Sequence, residues 1–273
     1  MPELPEVEIT CRGIRPHIEG RTLVGVTVRE ARLRQPVPEG LGAALAGCVL
    51  TRVGRRGKYL LFDFDSGGGV LVHLGMSGSL RVVARNEPPG SHDHVDFPFD
   101  NCTLRLHDPR RFGLVAWHAA AAASHPLLAR LGPEPLGDDF DGQWLYRASR
   151  GLRVPVKHFL MDARRLAGIG NIYASECLFQ ARIHPQTPVG RLDAERCAAL
   201  ANALKETLTA SLAAGGSTLR DFVGGDGRPG YFQQQHFVYG REGKPCRVCG
   251  TVIERIVSAG RAGFFCPVCQ KHD

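Results

Sequence analysis

No apolar run in the chain approaches the roughly 18 residues that a membrane-spanning helix requires. The opening MPELPEVE is acidic and carries two prolines, so it lacks the cationic-then-apolar layout of a secretory signal, and the cytoplasm is the expected location. An even set of cysteines is also missing. The nine are an odd number, five scattered (Cys11, Cys48, Cys102, Cys177, Cys197) and four gathered near the end, which argues against a disulfide framework and for metal. Internal repeats are absent, and 43% hydrophobic with 22% charged residues over 273 positions excludes a disordered or fibrous chain and allows two domains. Acid is in deficit: 27 Asp and Glu stand against 34 Lys and Arg, a net charge of +7 that favours a polyanionic partner such as nucleic acid.

The periodicity changes along the chain. From Pro5 to Gly20, the apolar Val7, Cys11, Ile14 and Ile18 recur at helical spacing, Pro5 suits the first turn, and Gly20 ends the helix. From Thr22 to about Trp117 come short β-branched or alternating runs, TLVGVTV, KYLLFDF, GVLVHL, SLRVV, TLRLH and LVAW, punctuated by Gly, Pro, Asn and Asp. These predict an antiparallel sandwich or barrel. GPEPLGDD reads as a linker, with a boundary near residue 135, and helical periodicity follows. Asp193 is placed to cap a long helix that buries Cys197, Leu200, Ala201, Leu204, Leu208 and Leu212 and stops at Gly215 and Gly216.

Cys246-x-x-Cys249 and Cys266-x-x-Cys269 enclose sixteen residues, a spacing that lets two knuckles bring four thiolates onto one tetrahedral zinc. With four sulfurs and no place left for water, the zinc is structural. The intervening TVIERIVSAGRAGFF reads as a hairpin with Arg261 at its tip, a solvated turn cation or a DNA contact.

Other stretches carry groups suited to DNA. Gly168 and Gly170 precede a helix bearing Ile172, Leu178 and Phe179, a place where free backbone N–H groups and the helix dipole favour phosphate, with Asn171 able to add its amide. The preceding PVKHFLMDA is read as a helix carrying Lys157. Lys58 lies in GRRGKYLL, and DPRRFG offers Arg110, Arg111 and Phe112 in a loop. Met76, in HLGMSGS, is either exposed in a turn or folded back onto the core. An apolar wedge with a cationic neighbour can enter a base stack and fill the space of an extruded base.

Taken together, PELPEVE, GKYLL, HLGMSGSL, HDHVD, DPRRFG, GPEPL, GIGNIYASE, DGRPGYF and the four-cysteine finger make the chain resemble the bacterial formamidopyrimidine-DNA glycosylases, which remove 8-oxoguanine and ring-opened purines. The resemblance runs from Pro2 to the last cysteine. It implies an α+β fold: an antiparallel β-sandwich flanked by an N-terminal helix in residues 1–134, a helix-two-turn-helix domain in 135–235, and a four-cysteine zinc finger hairpin in 236–273. The implied partner is double-stranded DNA with a damaged base or abasic site, bound between the halves by a monomer. Matched motif by motif, the catalytic residues are Pro2, Glu3 and Lys58, with Glu6 a further acid nearby; the duplex-filling residues are Met76, Arg110 and Phe112. Phosphate contacts match Lys157, Asn171 and Arg261, further DNA contacts match His73, His92 and Tyr239, and the loop that covers the flipped lesion falls at 218–231. The endonuclease VIII branch usually begins PEGPE and lacks this Met, Arg and Phe set, so Leu4 and Met76 favour the purine-lesion branch. A non-catalytic DNA-binding paralogue would have no need of Pro2, Glu3 and Lys58.

Overall fold

A computed structural model describes residues 1–118, 122–216 and 236–271. The expected covering loop at 218–231 and residues 119–121 of the alanine run lie outside the described residues. The described chain divides into two compact units, one formed by Met1–Arg130 with 214–216, the other by Leu131–Ala213 with 236–271.

The first unit opens with α1 (Leu4–Ile18), and Gly20 at φ 77° turns the chain into the strands. A four-stranded antiparallel sheet is ordered β2-β3-β4-β8, from Leu50–Arg56, Tyr59–Phe64, Gly69–His73 and Leu114–His118. The second four-stranded sheet is ordered β1-β6-β7-β5, from Thr27–Val28, Asp93–Pro98, Thr103–His107 and Ser79–Val83. The short helices α2 (Leu41–Leu45) and α3 (Pro126–Ala129) complete it. The core is continuous across both sheets: Val7, Cys11, Ile14 and Ile18 of α1 pack with Leu60, Phe62, Val70 and Val72 of one sheet and Leu80, Val95, Phe97, Leu104 and Leu106 of the other. The expected sandwich is thus present, with two adjustments. TLVGVTV forms strand only at Thr27–Val28, with single bridges from Thr22 to Val49 and from Leu23 to Phe99. Conversely β2 and β6, absent from the alternating runs, are strands whose polar residues find charged partners. Arg55 of β2 pairs with Glu8 at 2.9 Å, while Asp96 of β6 accepts two 2.9 Å bonds from the buried Arg105. A carboxylate matched by a guanidinium fork has its hydrogen bonds satisfied when buried, yet it breaks the hydrophobic alternation.

The second unit contains α4 (Gly142–Ser149), α5 (Val156–Met161), α6 (Asn171–Gln180) and α7 (Ala194–Ala213), then the hairpin β9 (Glu254–Ser258) and β10 (Arg261–Phe265). Asp193 caps α7 as expected, its Oδ1 accepting the Arg196 N–H at 2.8 Å, and Asp141 does the same for α4. Phe179 of α6, Val238, Ile253, Cys246 and Cys266 share one small cluster, so the finger packs on the helical part rather than on a core of its own. Gln270, fully buried, secures the join: its amide donates to Ile183 O at 2.9 Å and its Oε1 accepts the Cys266 N–H at 2.9 Å. Among the described residues no helix is long and apolar enough to cross a membrane.

Replacing Asp193 by Ala is expected to cost about 1 kcal/mol, the usual value of an N-cap. Thermal unfolding followed by circular dichroism should then show a midpoint lower by a few degrees.

Candidate active site and nucleic-acid interface

In the first unit the N-terminal groups are fixed by α1. Pro2, Glu3 and Glu6 are all buried, and Glu3 and Glu6 close a capping box in which the Glu3 N–H donates to Glu6 Oε2 at 2.9 Å. Glu6 thus has a structural duty at the helix N-terminus, where acids also suit the dipole. Farther along the helix, Glu8 accepts from Arg12 at 2.7 Å and from Arg55 at 2.9 Å. Burial works against ionising Glu8, but these guanidinium bonds outweigh it and hold the carboxyl below its usual range. Arg55 also donates to Gly57 O at 2.8 Å. Gly57 and Lys58 are the two-residue turn joining β2 to β3, with Arg56 paired to Tyr59. Gly57 has φ 57° and Lys58 does not share the positive sign, the pattern of a type II′ hairpin with Gly first. One guanidinium therefore links the helix that carries Pro2 and Glu3 to the turn that presents the half-buried Lys58.

His73 ends β4 opposite Tyr59, the rings meeting edge to face at 5.0 Å, and its Nδ1 accepts the Gly75 N–H at 2.9 Å. That bond leaves Nε2 to carry the ring proton. Burial above all, with help from Lys58 and Arg34, pushes the imidazole pKa down to about 4.

The Met76 ambiguity is resolved: Met76 is 41% exposed and Phe112 44%, so neither side chain is folded back onto the core. They lie on neighbouring loops. Gly75, at φ 65°, has space for no side chain, since a Cβ there would stand 2.4 Å from the Phe112 carbonyl carbon. The Arg110 guanidinium sits 4.8 Å from the centre of the Phe112 ring, and Arg111 is drawn aside at φ 55° to bond Glu30 at 3.2 Å. His92 is exposed at φ 70°, with its ring 6.1 Å from that of His107.

In the second unit, Gly168 at φ 84° and Gly170 lead into α6, where Asn171 is the first residue and its Oδ1 is buried with no hydrogen-bond partner. Lys157, near the start of α5, is buried and donates to Ala262 O at 2.8 Å. It lines one shallow pocket with His158, Gln186, Ser258 and Arg261. Arg261 does not occupy the tip. Ala259 and Gly260, at φ 48° and 73°, make a two-residue type I′ turn, and Arg261 follows it as the first residue of β10, paired with Ser258. Tyr239 is half-buried, edge-on to His236 at 5.7 Å and Phe264 at 5.2 Å. Its backbone is held by Glu176, which accepts the N–H groups of Phe237, Val238 and Tyr239 at 2.8, 3.0 and 2.7 Å.

The sulfurs of Cys246, Cys249, Cys266 and Cys269 all lie within 4.8 Å of one another, two of the pairs at 4.0 and 3.4 Å. A tetrahedral zinc with bonds of about 2.3 Å spaces its sulfurs about 3.8 Å apart, so the set fits one structural ion. The knuckle N–H groups of Val248 and Cys269 already point at sulfur, at 3.4 and 3.5 Å.

Sequence reasoning passed over Arg34, Glu8, Asp108 and Glu176 as organisers. Three of these are acids inside stretches quoted above, PELPEVE, DPRRFG and GIGNIYASE, whose partners only the fold reveals. Arg34, by contrast, carries no motif signal, and its N–H donates to Gly113 O at 3.0 Å.

Comparison with known proteins gives three matches in chain order. A model of the formamidopyrimidine-DNA glycosylase N-terminal domain matches residues 1–115, that family's H2TH domain matches 131–223, and a zinc finger found in FPG and IleRS matches 243–271. A formamidopyrimidine-DNA glycosylase from Aromatoleum aromaticum is 63% identical over 271 residues, covering 99% of this chain and 100% of the relative. One from Bordetella pertussis is 57% identical over 275 residues with the same coverage. MutM (Fpg) from Thermus thermophilus superposes with a TM-score of 0.90 at 42% identity over 100% of both chains. The Lactococcus lactis Fpg in complex with abasic-site DNA gives 0.91 at 32% identity, covering 99% of this chain and 100% of that one.

Two outcomes test the site as built. The protein should bind one equivalent of zinc, and Cys249→Ser should lose it, read by metal analysis of the purified protein. For His73, an unfolded imidazole titrates near 6.5 and the native one at about 4. Between those values the unfolded chain binds a proton that the native state does not, so this contribution to stability is lost as pH falls from 6.5 toward 4. His73→Asn should flatten that limb of the urea-unfolding profile; an unaltered slope would remove His73 as its source.

Proposed function

The chain belongs to the formamidopyrimidine-DNA glycosylase family, and from that membership we propose that Pro2, Glu3 and Lys58 carry out excision of oxidised purines from DNA. The activity is that of a base-excision-repair glycosylase on 8-oxoguanine and formamidopyrimidines, with strand cleavage at the resulting abasic site. It acts as a monomer in the bacterial cytoplasm, at the nucleoid. Residues 1–134 serve as the catalytic domain, 135–235 as the helix-two-turn-helix domain and 236–273 as the finger. The observation that carries the chemistry is the buried Pro2–Glu3 pair at the start of α1, joined through Glu8 and Arg55 to the Lys58 turn.

Removal of Met1 makes Pro2 a secondary amine. Attack on the sugar C1′ displaces the damaged base and forms an iminium, which stays cationic without needing a proton and acts as an electron sink. Loss of the C2′ proton then expels the 3′ phosphate, and a second elimination expels the 5′ phosphate, leaving a one-nucleotide gap. A free α-amine is easier to deprotonate than a lysine, which favours Pro2 over Lys58 as the attacking group. Glu3 is the acid/base that protonates the ring oxygen as the sugar opens, with Glu6 holding its backbone. Lys58 holds the adjacent phosphate and stabilises developing negative charge.

Met76, Arg110 and Phe112 fill the space left by the everted nucleotide, which the exposure of both apolar side chains supports. His73 and His92 add contacts in the same unit. In the second unit Lys157, Asn171 and Arg261 take backbone phosphates and Tyr239 adds a further DNA contact, supported by the shared pocket of Lys157 and Arg261. The oxidised-pyrimidine branch is the alternative substrate class, and Leu4 with the Met76, Arg110 and Phe112 set speaks against it.

Borohydride should trap a covalent complex with an 8-oxoguanine duplex, and retention of Met1 should abolish it. Trapping that survives in Pro2→Gly and disappears in Lys58→Ala would make Lys58 the nucleophile instead. Glu3→Gln should slow base release by about 10²- to 10⁴-fold, the usual worth of a positioned acid/base. Preference for thymine glycol over 8-oxoguanine in the same gel assay would move the protein to the pyrimidine branch.

A further inference from the structure

We propose that Asp108 is the positioning residue that makes Met76, His92, Arg110 and Phe112 one pre-ordered unit for entry into the duplex. The inference rests on the duplex-filling role given above to Met76, Arg110 and Phe112, and assigns the acid of DPRRFG a part in it.

Asp108 is fully buried at the end of β7, and among the described residues it forms no ion pair. Its compensation comes from neutral donors on two separate loops. Oδ2 accepts the Gly113 N–H at 2.7 Å and Oδ1 accepts the Ser77 hydroxyl at 3.3 Å. Ser77 follows Met76 directly and Gly113 follows Phe112, so a single carboxylate spans the two loops. A buried carboxylate left without its donors is costly, so the loops are held to it. The packing leaves no slack: a Cβ on Gly113 would stand 2.9 Å from Asp108 Oδ2, and Gly75 is pressed on the Phe112 backbone.

The backbone of the same residue ties down His92 and closes the turn that carries Arg110. Asp108 N–H donates to His92 O at 2.9 Å, and Asp108 O accepts the Arg111 N–H at 3.2 Å and bonds His94 Nε2 at 2.9 Å. His92 and Arg111 both hold positive φ, at 70° and 55°, which non-glycine residues keep only where the surroundings over-determine them. Asp108 bonds to both. A wedge whose parts are ordered before contact avoids the entropy of ordering them in the base stack. Asp108 therefore acts on opening the duplex, ahead of the chemistry at Pro2.

The test compares purified full-length variants on an 8-oxoguanine duplex and on the same duplex carrying an abasic site, where there is no base to evict. Asp108→Ala should lower kcat/KM on the lesion duplex by about tenfold or more, several times its loss on the abasic duplex. Asp108→Asn keeps an acceptor for Gly113 and can donate to Ser77, so it should restore most of the lesion activity. Asp108→Ala combined with Met76→Ala should be no worse than Met76→Ala alone. If Asp108→Ala does not fold, Ser77→Ala removes one arm only and should show the same selective loss, a few-fold in size. Equal loss on both duplexes, or additive losses in the double variant, would overturn the inference. A fully active Asp108→Ala beside an impaired Met76→Ala would overturn it alone, whereas a fully active Met76→Ala would bring down the wedge reading and this inference together.

Discussion

A residue at a chain end is tethered on one side only, so whatever Pro2 and Glu3 do depends on how α1 is fixed to the sandwich. Four apolar residues, Val7, Cys11, Ile14 and Ile18, set its depth in the core. Apolar contact alone tolerates sliding, and polar bonds remove that freedom. Arg15 donates to Val53 O at 2.9 Å, Glu19 accepts the Val53 N–H at 2.8 Å, and Glu8 pairs with Arg55. The Glu8–Arg55 pair matters most: Arg55 is 11% and Glu8 20% exposed at the side chain, so the bond is weakly screened, and the same guanidinium bonds Gly57 O. Helix register and the position of the Lys58 turn are consequently set together.

The second unit meets the same difficulty in another form. Its hairpin is too small for a core, so metal and buried polar groups replace one. Four sulfurs gather the knuckles, which is folding free energy for a module of this size. Gln270 and Glu176 then join finger and helices through backbone groups, the first to Ile183 and Cys266, the second to residues 237–239. Glu176 shows how the balance falls: burial raises its pKa, and three N–H bonds oppose that rise without cancelling it.

What could be read from the sequence was whatever local pattern determines. The α1 stripe, the Asp193 cap, the spacing of the four finger cysteines and the strands with apolar alternation all follow from neighbours close along the chain. β2 and β6 escaped because Arg55, Asp93 and Asp96 interrupt their apolar alternation, and an Asp that will meet a buried Arg looks like any other Asp. The exposure of Met76 was open because it depends on Gly75 meeting Phe112, residues far apart in sequence. Arg261 was placed at the finger's tip because Ala259 adopts a left-handed conformation that Ala seldom takes. Asp108 and Glu176 sat inside motifs, but Ser77, which joins Asp108 to the second loop, lies 31 residues away, and the partners of Glu176 lie 61 to 63 away.

These buried acids also bear on the charge of the surface. Among the described residues, Glu3, Glu6, Asp93, Asp96, Asp108 and Glu176 are buried, against only Arg105 and Lys157 among the strong cations. Formal negative charge is thus concentrated inside, where it accepts backbone N–H and guanidinium bonds. Among the described residues the solvent-facing shell is therefore richer in cations relative to acids than the chain as a whole. Placing carboxylates where loops need acceptors, and cations where a polyanion would lie, meets both demands with one distribution of charge.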